Sequence, residues 1–352
     1  MRARTWLTRA AVAASGLLLA ITGATAAPGA VTPPTASGDL IYVATASSGP
    51  VTVYGAGSHG SVAPVSTVDN PHASNTVWDP WGVTFDSAGD LFVQSFLSDA
   101  TTFVFPPGAS GSTPPSRIFR AQGPDNESIA VDGDGYEYVA GGEAGASVAV
   151  EPPGASGSPG NLYGVTPVRQ FPLNENFSPW PDVLATNSGN DLIAAVTLAK
   201  GNAIEVFRGG ASGGSKPIRT ISGPDTGLGS CGSSSTCAEL SVTFSPLTGR
   251  IYAAVSDGTG SHIDVFAGLA SGDAKPLHQI EGPATKLAGK FLTGIAVSPS
   301  NGTIYAMAKN SEFGPGRIDA YGRTATGNAA PLRSFTDSSS GFKNAEGIAV
   351  TT

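Results

Sequence analysis

Apolar and polar residues alternate along this chain in bursts of four or five, and the bursts recur in a fixed order. An aromatic-ended burst occurs as Val51–Tyr54, Thr102–Phe105, Val148–Glu151, Ile204–Phe207, Ile263–Phe266 and Ile318–Tyr321. Successive starts lie 51, 46, 56, 59 and 55 residues apart. Most copies run into a Gly/Ala/Ser turn such as Gly108–Gly111 or Gly154–Gly157. A Pro-led burst follows: Pro64–Val68, Pro115–Phe119, Pro167–Phe171, Pro217–Ile221, Pro276–Ile280 and Pro331–Phe335. Then comes a paired burst, as in Gly82–Asp86 with Leu91–Val93, Ser128–Asp132 with Tyr136–Val139, and Gly294–Val297 with Ile304–Ala306. A period of two with short Gly/Asn/Asp turns predicts strands and hairpins, and no copy sustains a helical period.

The sixth paired burst is split. Gly347–Val350 ends the chain without a partner, and the missing partner, Asp39–Val43, stands at the other end. Each repeat is therefore four strands: A (Gly-Ile-Ala-Val type), B, C (aromatic-ended) and D (Pro-led). Five repeats are continuous, and the sixth takes B, C and D from the N-terminal side and A from the C-terminus. A closed ring explains the split, because an open stack would leave two unpaired edges. The expected fold is all-β, a six-bladed β-propeller over residues 38–352.

Composition agrees. The chain has 47 Gly and 27 Pro among 352 residues, and only 13% Asp, Glu, Lys or Arg, too few for helical bundles or coiled coils. The 40% hydrophobic share is enough to bury a core. Arg2, Arg4 and Arg9 precede the apolar stretch Ala10–Ile21, and Ala24-Thr25-Ala26 fits a cleavage site, so residues 1–26 read as a signal peptide cut after Ala26. Residues 27–37 read as a disordered leader. Losing those three Arg and no acid takes the formal charge from −8 to −11. The acidic balance argues against nucleic acid and anionic membranes as partners, and no second apolar run is long enough for membrane insertion. A secreted monomer is expected, with a disulfide between Cys231 and Cys237.

The repeat Gly-Ile-Ala-Val-Asp…Gly-x-Ile-Tyr-Val-Ala…Ile-x-Val-Phe resembles NHL repeats and, more loosely, propellers of the SMP-30/gluconolactonase type. The resemblance spans Gly38 to Thr352. It implies the propeller fold and spans scaffolds, binders, lyases and lactonases in function.

In such a ring the A strands line a central channel, and the long D-to-A loops crowd one face. Trp78, Trp81 and Trp180 all fall on those loops, joined by Phe177, Phe291 and Phe342. Trp78, Trp81, Phe177 and Trp180 are the ligand-binding candidates, as a stacking platform for a sugar or another flat apolar ligand, with packing between blades as the alternative. The residues just before the A strands are Trp81, Glu127, Asp182, Leu240, Thr293 and Glu346, three of them carboxylates. Glu127, Asp182 and Glu346, with Asn126, are candidate ligands for Ca²⁺ or another divalent cation, which needs several oxygens at once. The SMP-30 resemblance implies a metal at such positions, through Glu346-Gly347 and Asn126-Glu127, although the family's Glu-Gly-Pro is Glu-Gly-Ile here. His72, the one His on the D-to-A face, and Glu239 are candidate general bases. Asp132-Gly-Asp134-Gly135 looks like the start of a calcium loop but lies in an A-to-B turn. Two functions follow: a secreted, non-catalytic recognition module for a carbohydrate, a peptide or a surface partner, or a metal-dependent lactonase, hydrolase or lyase. The first is preferred.

Overall fold

The computed structural model describes residues 38–69, 78–96, 101–120, 126–141, 147–157, 165–173, 183–198, 201–229, 239–256, 260–311 and 314–351, the side chains at 126, 127 and 141 excepted. The signal peptide and leader expected at 1–37 lie outside the described residues, as do Cys231 and Cys237.

Six antiparallel sheets form the six blades, each running A-B-C-D from one edge to the other. Blade 1 is built from Pro80–Phe85, Leu91–Ser95, Thr101–Phe105 and Arg117–Arg120. Blade 2 uses Asn126–Val131, Glu137–Gly141, Ser147–Glu151 and Arg169–Pro172; blade 3 uses Leu184–Thr186, Leu192–Leu198, Gly201–Phe207 and Arg219–Ile221. Blades 4 and 5 repeat the plan over Glu239–Ile280 and Phe291–Asp337. In blade 6 the C-terminal strand Ala345–Thr351 lies beside Leu40–Thr45, which pairs on with Val51–Gly55 and Ser66–Val68. Leu40 faces Thr351 and Ala44 faces Gly347, so the two ends of the ring zip together as expected.

The B and C strands are almost wholly buried, because each blade has a neighbour on both faces. Six apolar clusters result, one at each seam between blades. At the closing seam, Ile41, Val43 and Tyr54 of blade 6 meet Tyr305, Met307 and Phe335 of blade 5. The Tyr54 hydroxyl also donates to Asp337 Oδ2 at 2.6 Å.

The Gly/Ala/Ser turns prove to be clasps as well as turns. At every seam the C-to-D turn of one blade bonds to the outer strand of the blade before it. Gly111 N donates to Thr67 O, Gly157 N to Ile118 O, Gly213 N to Gln170 O, Gly272 N to Thr220 O and Gly327 N to Gln279 O, at 2.6–2.8 Å. At the sixth seam the clasp is a whole strand: Gly60–Val62 pairs in parallel with Arg333–Asp337, giving blade 5 a fifth strand. Gly111, Gly213, Gly272 and Gly327 have φ of 52–68°, a left-handed geometry that favours glycine. The adjoining Ala109, Ala155 and Ala211 are buried against the seams.

Asp132-Gly-Asp134-Gly135 is an A-to-B turn. Asp132 Oδ1 accepts from Asp134 N at 3.0 Å and Tyr136 N at 2.9 Å, so that carboxylate oxygen is spent on the turn itself.

Candidate functional site

The A strands of all six blades wall a central channel of about 1420 Å³. Its D-to-A mouth is shaped by one local device. In four blades the A strand bulges by one residue where it meets the B strand. Pairing skips from Pro80 to Gly82, from Asn126 to Ser128, from Leu292 to Gly294 and from Ala345 to Gly347. The skipped residues are Trp81, Glu127, Thr293 and Glu346. Bulges at the rims of closed sheets take a residue out of the ladder and re-aim its side chain. Trp81, Thr293 and Glu346 line the channel.

A glycine follows three of these bulges because neighbouring A strands come very close there. A Cβ on Gly347 would lie 2.2 Å from Trp81 O, and one on Gly294 would lie 2.8 Å from Ile348 Cγ2. Glycine in the A strands thus lets the bulged residues crowd around one opening.

The mouth is mixed in chemistry. Trp81 is half-buried and packs its ring on Phe96 with centroids 4.6 Å apart. Phe291 is exposed and lines the same opening. Glu239 starts the blade 4 A strand opposite Ser256 and also lines the channel. Lys309, fully buried at the end of the blade 5 B strand, donates from Nζ to Glu346 Oε1 and to Ala345 O, each at 2.9 Å. The Glu346 carboxylate is therefore held by an ammonium ion from the next blade, an ion pair the sequence alone did not reveal.

Trp78 departs from its expected place. It is buried, packs edge-on against Phe103 at 5.2 Å, and donates from Nε1 to Gly49 O at 2.8 Å. It wedges the seam between blades 6 and 1 instead of standing on the ligand face. Phe342, one of its D-to-A companions, is likewise buried, against Tyr54 and Phe335. Asn126 and Glu127 sit in the blade 2 A strand, Asn126 opposite Gly141. His72, Phe177, Trp180 and Asp182 lie outside the described residues. Among the described residues no three His, Cys, Asp or Glu side chains converge as a metal-binding group.

His262, in the blade 4 C strand, is likewise away from the mouth. Its imidazole lies between Gly260 O, Gly227 O and, at 3.3 Å, Asp264 Oδ2. Burial alone would lower its pKa, but the Asp264 carboxylate and the two carbonyls outweigh that and raise it to about 9. The charged ring ties the D-to-A loop around Gly227 to blade 4.

No known family profile matches the chain. No curated protein matches it either. Solved structures do. A Bacteroides caccae protein of unknown function is similar over 89% of this chain and 99% of its own, with a TM-score of 0.59 at 9% identity. The Cps50 (Swd1) β-propeller domain of Myceliophteria thermophila covers 74% of this chain and 87% of its own, with a TM-score of 0.42 at 12% identity. Kuenenia stuttgartiensis hydrazine synthase covers 76% and 79%, with a TM-score of 0.39 at 14% identity. At 9% identity the likeness to the Bacteroides caccae protein speaks to the fold alone. The NHL and SMP-30 resemblance finds no matching family profile and rests on the repeat sequence.

Proposed function

We propose that this propeller is an exported recognition module that binds a carbohydrate at its D-to-A mouth without transforming it. The observation that carries this reading is the set of four bulges at one register. Three of them bring the aromatic ring of Trp81, the hydroxyl of Thr293 and the carboxylate of Glu346 to one opening, where a sugar's apolar face and its hydroxyl groups find their complements. Trp81 supplies the stacking face, with Phe291 lining the same opening two blades away. Thr293, Glu239 and Glu346 supply hydroxyl partners.

The Lys309–Glu346 ion pair weighs against the divalent-metal hydrolase reading. A cation entering at Glu346 would meet an ammonium group already 2.9 Å from the carboxylate. The metal reading predicts a rise in the thermal midpoint with calcium or zinc, because a ligand of the native state stabilises it by mass action. The recognition reading expects no such rise.

The test is a glycan array probed with the mature chain, followed by titration of any hit while tryptophan fluorescence is monitored. Trp81→Ala is expected to weaken binding roughly five- to 150-fold, the order of one lost stacking contact of roughly 1–3 kcal/mol, by analogy with bases stacked on aromatic side chains. Binding unaffected by Trp81→Ala, or turnover of the bound sugar, overturns the proposal. A peptide library screened in parallel separates a sugar ligand from an extended chain.

A further inference from the structure

One seam is built unlike the others. In five blades the first inward pair of the B and C strands is apolar and buried: Leu91 opposite Phe105, Leu192 opposite Phe207, Ile251 opposite Phe266, Ile304 opposite Tyr321 and Ile41 opposite Tyr54. In blade 2 the same two places hold Glu137 and Glu151, directly opposite one another and both fully buried.

These side chains face blade 1. The apolar cluster at that seam is Phe92, Val104 and Phe119 from blade 1 with Ile129, Val131, Val139, Ala155 and Val165 from blade 2. Among the described residues it has eight members, against eleven to fourteen at the other seams. Among the described residues one cation, Arg117, reaches this pair, and it bonds to Glu137 alone. Arg117, on the blade 1 D strand, donates from Nη1 to Glu137 Oε1 at 2.9 Å and to Ala155 O at 2.7 Å, and lies over the Phe92 ring at 5.4 Å. Glu137 Oε2 and both oxygens of Glu151 have no hydrogen-bond donor. Among the described residues, the other charged groups acting on this cluster, Asp86 and Asp90 of the blade 1 A-to-B turn, are also acids.

Two buried carboxylates with one arginine carry an uncompensated negative charge, and a buried unpaired charge is costly. A proton on Glu151, donated to the facing carboxylate, removes the charge and supplies the missing donor together. We infer that Glu137 and Glu151 share one proton, which leaves the buried cluster of Arg117, Glu137 and Glu151 without net charge, and that losing this proton to water loosens the seam between blades 1 and 2.

The direction agrees with burial. Desolvation pushes each carboxyl up, to about 7; for Glu137 Arg117 works against that rise, and Glu151 and Asp86 add to it. A carboxyl raised above its unfolded value stabilises the folded seam fully below about pH 4.5, and that contribution is lost as pH rises through 7.

Amide hydrogen exchange of the full chain between pH 5 and pH 8, corrected for intrinsic rates, tests this. In the wild type, opening of the strands around Val139 and Ala149 is expected to grow about tenfold per pH unit from 5 to 7 and then level off. In Glu151→Gln, which keeps the shape and supplies a permanent donor, those amides should lose this dependence. His262 also titrates, but in the seam between blades 3 and 4, at other amides and in both chains. An unchanged pH slope in Glu151→Gln, or no slope in the wild type, overturns the inference. If Glu151→Gln does not fold, infrared spectra of the wild type decide. A protonated-carboxyl band present at pH 6 and gone by pH 8 supports the shared proton, and its absence at pH 6 refutes it.

Discussion

A single methyl group at position 347 is enough to test the mouth geometry. The hydrogen of Gly347 faces the Trp81 carbonyl, and a Cβ there would sit 2.2 Å from that oxygen. Backbone on both sides leaves no flexible side chain to give way. Gly347→Ala is therefore expected to cost on the order of 2–4 kcal/mol, the range of overpacking with backbone displacement. Chemical denaturation measures it, and a change below half a kcal/mol would mean that the two A strands do not approach this closely. The same scale shows where sequence reasoning stops. Trp78 and Trp81 lie three residues apart on one D-to-A segment, and nothing in the local sequence separates a seam wedge from a mouth residue. Their fates divide at the bulge after Pro80, and a bulge is a property of pairing with Leu91–Ser95, which only the folded sheet reveals. Glu346 is a similar case. Its position at the mouth was legible from Glu346-Gly347, but its partner Lys309 is 37 residues away on another blade.

Among elements, the C-to-D turns were legible as turns and illegible as clasps. Gly-Ala-Ser-Gly signals a left-handed turn by itself, whereas its bond to the preceding blade needs the ring. Two turns add a side-chain contact to the clasp. Asp273, next to Gly272, accepts from Asp225 N at 2.7 Å, and Asn328, next to Gly327, accepts from Ala284 N at 2.6 Å. Each fixes the start of a D-to-A loop of the preceding blade, where Leu228 and Leu287 are buried as anchors. Asp273→Ala and Asn328→Ala should each destabilise by about 1 kcal/mol, the usual value of such a bond. Because they act at different seams, the double variant should lose about the sum. Denaturant midpoints of the three variants check this, and a loss well above the sum would show that the seams are coupled rather than independent. The polar pair Glu137 and Glu151 shows the opposite case. The repeat alignment itself exposes the pair as an exception, yet its meaning depends on Arg117 across the seam.

For the whole molecule, the split repeat was the most legible feature, because a missing strand at one end and an extra one at the other leave few arrangements. The antiparallel A–B pair that closes blade 6 differs from the A-to-B hairpins of the other blades in having no covalent turn between its strands. Apart from the bulge at Glu346, Ala345–Thr351 and Leu40–Thr45 pair as Glu239–Ser245 and Arg250–Ser256 do in blade 4, where exposed Leu247 lies in the short turn between the strands. Moving the cut should therefore move the closure without changing the ring. A chain that begins at Thr248, joins Thr352 to Gly38 through a short Gly/Ser linker and ends at Leu247 is expected to fold to the same six blades, with blade 4 now closed by the two ends. Its thermal midpoint should fall by several degrees, since a flexible linker takes the place of the hydrogen-bonded turn after Ser245. A truncated chain ending at Asn344 gives the contrast. It loses the closing strand, exposes the edge of Leu40–Thr45, and removes Ile348 from the seam with blade 5. That chain is expected to unfold without a single sharp transition and to associate through the open edge. Calorimetry and sedimentation distinguish the two. If the truncated chain stays monomeric and cooperative while the permuted one fails, closure by the terminal strand is not what holds the ring together.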